Sequence, residues 1–94
     1  MRLTPQQRNA IVSAVATVDA AAEVYLFGSR VDDAARGGDI DLLVVSALVD
    51  AKARRAIRRR ILDAIGEQKI DITAVGDLGD PFARLARHGG VRLK

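Results

Sequence analysis

Apolar positions recur along this chain with two periods, and the switches between them lay out its elements. After Thr4-Pro5-Gln6-Gln7, the residues Ile11, Ala14, Val15 and Val18 fall at helical spacing and predict a helix over about residues 5–18. Thr4 is its cap, Pro5 suits the first helical position, and Gln7 completes a capping box. Val24-Tyr25-Leu26-Phe27 is a short apolar strand ended by Gly28. Residues 29–38 are polar and glycine-bearing, with a short helix expected near Val31–Ala35 before Gly37-Gly38. From Asp39 to Val45 an acidic entry leads into a continuous apolar run, the pattern of a strand buried on both faces. Asp50 caps a helix through about Ile65, with Ala53, Ile57, Ile61, Ala64 and Ile65 as its apolar stripe and Gly66 as its stop. Lys69 to Val75 alternates, placing Ile70, Ile72 and Ala74 on one face and Asp71 and Thr73 on the other. Asp80-Pro81 opens a last helix through about His88, Gly89-Gly90 breaks it, and Val91-Arg92-Leu93 is a candidate final strand. The order α-β-(α)-β-α-β-α-β predicts an α/β (mixed α+β) domain: a sheet of about four strands with helices packed against it.

Length confines this to a single domain over residues 1–94. A separate acceptor-binding domain is not expected. The chain has no cysteine, which excludes a disulfide framework, a thiolate zinc site and a thiol nucleophile. No apolar run approaches the ~20 residues of a membrane span, and Met1 to Gln7 lacks the apolar core of a secretion signal. The expectation is a soluble, cytoplasmic protein. The net charge of +3 is unevenly distributed. Of the 15 Lys and Arg residues, six lie between Lys52 and Arg60 with no acid among them, and the rest are outnumbered by the 12 acids. The basic character therefore belongs to one predicted helix.

Chemistry concentrates in Phe27-Gly28-Ser29-Arg30 and in Asp39-Ile40-Asp41. Asp39 and Asp41 are two apart on a strand and share a face, while Ile40 and Leu42 point the other way. Two carboxylates so placed can bridge a pair of divalent cations, and Mg²⁺ is usually held by one or two carboxylates together with substrate phosphates. A two-metal site stabilises both oxygens of an in-line phosphoryl displacement. In the Gly28-Ser29 turn, glycine admits a phosphate close to the backbone and successive N–H groups can face it. The Ser29 hydroxyl and Arg30 guanidinium add donors. Asp71, on a separate strand, is a candidate third carboxylate, as metal ligand or as acceptor of a proton from an attacking hydroxyl. An isolated Asp-x-Asp is most often a solvated loop pair, and an isolated Gly-Ser is a weaker signal still. Their succession across two strands, with a third acidic strand downstream, is what makes a site.

These residues resemble a known family. Leu26-Phe27-Gly28-Ser29-Arg30 followed by Gly38-Asp39-Ile40-Asp41-Leu42-Leu43-Val44 is similar to the signature of the minimal nucleotidyltransferases of the DNA polymerase β superfamily. The similarity runs over nearly the whole chain. It departs in two places: nine residues separate Ser29 from Asp39 where ten are common, and Gly38 stands where serine is frequent. The resemblance implies a polymerase β-type nucleotidyltransferase fold with a mixed sheet. It implies Mg²⁺, two ions, on Asp39 and Asp41 with Asp71 as third carboxylate, and Gly28 and Ser29 at the triphosphate of ATP, where Arg30 is a candidate further donor. Small members are often antitoxins paired with a HEPN-type RNase toxin, transferring AMP from ATP to a toxin tyrosine. A protein partner carrying the acceptor hydroxyl is therefore expected.

Two other functions compete. A non-catalytic module of the same fold neutralises its partner by occlusion, a role that needs no trio of carboxylates. A nucleic-acid binder would work through the helix of Lys52 to Arg60. The only aromatics, Tyr25, Phe27 and Phe82, lie outside that run, so base stacking there is unsupported and nucleic acid is not expected as a direct ligand. The plainer reading of the run is the solvated side of an amphipathic helix. His88 is expected at a helix C-terminus, where positive charge is favourable, rather than on a metal. Asp32 and Asp33 read as a helix start, Arg36 as solvent-facing, and Tyr25 and Phe27 as core or site wall.

Overall fold

The structure is a computed structural model that describes residues 3–28, 39–77 and 79–94. The short helix expected near Val31–Ala35 lies outside the described residues, as do Asp32, Asp33 and Arg36. Seven elements follow in order: α1 (Pro5–Ala16), β1 (Glu23–Phe27), β2 (Ile40–Val45), α2 (Ala51–Ile65), β3 (Ile70–Val75), α3 (Pro81–Gly89) and β4 (Val91–Arg92).

Local chemistry explains the ends. The Thr4 hydroxyl accepts from the Gln7 amide and the Gln7 side chain accepts from the Thr4 amide, both at 3.0 Å, closing the predicted capping box. Asp50 caps α2 by accepting from the Ala53 amide at 2.8 Å. Asp80 caps α3 through the amide of Phe82 at 2.8 Å. The first helix stops at Ala16, before the expected Val18, where the Thr17 hydroxyl turns back to donate to the Ala14 carbonyl at 2.6 Å. The last helix runs through Gly89 and ends at Gly90.

The sheet order is β3-β2-β1-β4. The β2–β3 pair is parallel and the other two pairs are antiparallel, so the sheet is mixed. A parallel neighbour requires a crossover, and α2 supplies it. On one face, Val24, Leu26, Ile40, Leu42, Val44, Ile70 and Ile72 meet Ile11, Ala14 and Val15 of α1 and Ile57 and Ile61 of α2. On the other, Tyr25, Leu43 and Val45 meet Ala83 and Ala86 of α3, with Phe27 and Val75 at the margin. Central β2 is thus buried on both sides from Leu42 onward, as its apolar run predicts. Alanine is what α3 offers the sheet, and its end comes closer still: a Cβ at Gly90 would lie 2.6 Å from the Leu26 carbonyl oxygen. Only a glycine lets α3 hand the chain to β4 against that edge.

The apolar stripe of α2 is rotated from the predicted one. Ile57 and Ile61 are fully buried and Leu62 and Ile65 pack on the core, but Ala64 is exposed. Burying the larger Leu62 turns the helix, which brings the stems of Arg54 and Arg58 to the half-buried flank. The basic run is therefore split: Lys52, Arg55, Arg59 and Arg60 are exposed, and Arg59 pairs with Asp63 at 3.3 Å. Truncating Ile57 to alanine removes a fully buried side chain and is expected to cost about 2–5 kcal/mol of stability. The same change at half-buried Ile65 should cost clearly less; urea denaturation of both variants checks the order. No helix among the described residues is long and apolar enough to cross a membrane.

Candidate active site

Strand alternation decides where the carboxylates go. Ile40, Leu42, Ile70 and Ile72 point into the core beneath α1 and α2. Asp41 and Asp71 therefore point to the opposite face, the one that α3 covers only in part. The parallel register sets Asp41 directly beside Asp71 on the neighbouring strand. Asp39 lies just before β2, two residues from Asp41.

On its other side, Asp41 is the register partner of Phe27, the residue before Gly28. Gly28 has φ +78°, in the left-handed region. A Cβ built there would overlap the Asp41 carboxylate. Both the conformation and the space demand glycine, and the space is limited by the carboxylate it faces. Gly28 and Asp41 are thus in contact although 13 positions apart in sequence. Ser29 and Arg30, the other residues expected at a triphosphate, lie outside the described residues.

Charge is unbalanced at this spot. The Asp41 carboxyl is pushed above the usual carboxylate range, first by its partial burial, then by the negative charges of Asp71 and Asp39, with Lys69 acting against them. Lys69 was not singled out in the sequence, although it stands two residues before Asp71 and so on the same strand face. Its Nζ lies 3.5 Å from Asp39 Oδ2. Among the described residues no three acidic, histidine or cysteine side chains draw together closely enough to hold one ion. Asp39 is drawn to Lys69, and the adjacent pair is Asp41 with Asp71.

A family model described as Nucleotidyltransferase domain matches residues 8–85, most of the chain. The chain belongs to the nucleotidyltransferase domain family. The four-stranded mixed sheet flanked by three helices is a polymerase β-type nucleotidyltransferase fold. No curated protein matches the chain significantly.

Members of this nucleotidyltransferase family generally use a nucleoside triphosphate and a divalent metal. The donor set fits such a metal. Asp41 and Asp71 offer hard carboxylate oxygens side by side, and their mutual repulsion is the imbalance a divalent cation would relieve. Asp39 is held ready nearby by a lysine that is itself exposed. His88 sits in the last turn of α3, as the sequence predicts, and not among these residues.

The raised Asp41 carboxyl has a stability consequence in metal-free buffer. Between the ordinary carboxylate value of 3.8 and its raised folded value, the native state holds the proton more tightly than the unfolded chain. Stability is therefore lost as pH rises through that window. Asp41→Asn removes the charge and should raise stability at neutral pH in EDTA. Thermal melts of both proteins at pH 4 and pH 7 check it: the gap should be present at pH 7 and shrink at pH 4.

Proposed function

We propose that this nucleotidyltransferase transfers AMP from ATP to a tyrosine hydroxyl of a partner protein, a HEPN-type RNase toxin, and acts as its antitoxin. The observation that carries the reading is the Asp41–Asp71 pair in register, with Gly28 pressed against Asp41. An exposed Asp71 on a sheet face that α3 leaves partly open supports an acceptor as large as a protein side chain in its own fold.

In this reading the acceptor oxygen bonds to the α-phosphorus of ATP, and the bond from that phosphorus to the β-phosphate oxygen breaks. Pyrophosphate leaves with the electron pair, and Asp71 takes the hydroxyl proton. Asp39 and Asp41, with Asp71 beside Asp41, are the residues that would hold Mg²⁺, and the metal would supply neutralisation of charge on the triphosphate and at the attacking oxygen. Gly28, with Ser29 and Arg30 after it, holds the triphosphate so that the α-phosphorus faces the acceptor. Lys69 keeps Asp39 in place before nucleotide arrives.

The test is mass spectrometry of the HEPN-type partner after incubation with this chain, ATP and Mg²⁺. A gain of one or more AMP units, lost when Asp39→Asn and Asp41→Asn are combined, is the expected result. No gain, or a gain that survives both substitutions, overturns the reading. Partner inhibition that persists in the doubly substituted chain would favour simple occlusion instead.

A further inference from the structure

The three aromatics of the chain are placed unequally. Tyr25 is buried beneath α3, Phe27 is half-buried beside Asp41, and Phe82 in the first turn of α3 is 38 % exposed. Among the described residues Phe82 is the only exposed phenylalanine or tyrosine. Its neighbour Ala83 is completely buried and makes the contact between this turn and the sheet, so the core does not need the ring.

The ring is nevertheless held. Its centroid lies 5.4 Å from that of Phe27 with the planes at 80°. Its backbone amide is fixed by the Asp80 cap. In an edge-to-face pair, whichever ring supplies the edge, at least one face of Phe82 is left free of Phe27. Phe27 and Asp41 are directly opposite on antiparallel strands, so their side chains share a face of the sheet. Asp41, Phe27 and Phe82 thus form a continuous row: carboxylate, apolar spacer, open aromatic ring.

We propose that Phe82 is the nucleobase platform of this site: the base of the bound nucleoside triphosphate stacks on its ring, while the phosphates lie toward Gly28 and the carboxylates. This rests on the nucleotidyl-transfer reading above and adds the place of the base. A flat ring at the end of the row holds any nucleobase by its π-face, and stacking needs no hydrogen-bond partner. Among the described residues Leu48 and Leu85 are the other large exposed apolar side chains, and neither offers such a face.

Titration calorimetry of the full chain with two ligands, ATP and inorganic tripolyphosphate, each with Mg²⁺, tests this. The wild type should bind ATP more tightly than tripolyphosphate. Phe82→Leu keeps apolar bulk against Phe27 but loses the ring. It should weaken ATP binding by roughly 5- to 100-fold, leave tripolyphosphate binding unchanged, and melt within a few degrees of the wild type. Phe82→Trp should retain ATP binding. Unchanged ATP binding in Phe82→Leu, an equal loss for both ligands, or a loss in Phe82→Trp as large as in Phe82→Leu overturns the proposal. A wild type that binds neither ligand overturns the transfer reading as well, whereas binding of both that ignores Phe82 sinks the platform alone.

Discussion

Asp41→Asn is expected to reduce nucleotidyl transfer by roughly 10²–10³-fold while the protein remains folded. The magnitude is that of losing one preorganised electrostatic group from a phosphoryl-transfer site, about 3–4 kcal/mol of transition-state stabilisation. Asparagine is nearly isosteric, so Gly28 still faces a side chain of the same shape. Asp71→Asn should cause a loss of similar size. The two carboxylates stand side by side in register and share whatever charge they neutralise, so their effects should not add. The double variant should lose little more than either single one. Initial rates of nucleotidyl transfer for the four proteins, with far-UV circular dichroism as a folding control, check both statements. An Asp41→Asn enzyme with more than a tenth of the wild-type rate would be incompatible with a central role for this carboxylate. Additive losses would separate Asp41 and Asp71 into independent sites. The same substitution should raise metal-free stability, so activity and stability move in opposite directions at one residue.

The parts of this architecture that were readable in the sequence are those set by neighbours in the chain. The capping box of Thr4 and Gln7 needs only four consecutive residues, and it is present as expected. The run Leu42-Leu43-Val44-Val45 signals burial on both faces, and both faces are covered. What the pattern does not contain is pairing. Nothing in the spacing of Asp41 and Asp71 says that their strands lie in parallel and in register; the α2 crossover and the burial of Ile40, Leu42, Ile70 and Ile72 beneath it decide that. The rotation of α2 was misjudged because Ala64 looks apolar in a sequence, whereas volume decides burial and Leu62 takes its place against the core. Lys69 could have been found from its place two residues before Asp71. Phe82 could not, since its approach to Phe27 depends on the path of α3, which the tight passage of Gly90 past Leu26 helps to set.

Gly28→Ala should damage the site strongly, for two separable reasons. At φ +78° an L-residue carries a backbone penalty of about 1–2 kcal/mol. The added Cβ also collides with the Asp41 carboxylate, whose Cγ would be 3.2 Å away and its oxygen nearer still. The side chain must swing aside, and a displaced Asp41 no longer faces Asp71 as a donor pair. Transfer should therefore fall at least about a hundredfold, beyond what the loss of stability explains, since a misplacement of an ångström suffices for that. The two causes come apart in an Asp41→Ala background. There the carboxylate is gone and only the Asp41 Cβ remains, at an ordinary 3.5 Å from the new methyl. Gly28→Ala should then cost only the backbone penalty. Urea denaturation of the four proteins of this cycle gives the coupling directly. A coupling near zero would mean that Gly28 is required by its backbone alone. A clearly smaller cost in the Asp41→Ala background would show that Gly28 is a glycine because a carboxylate stands where its side chain would be.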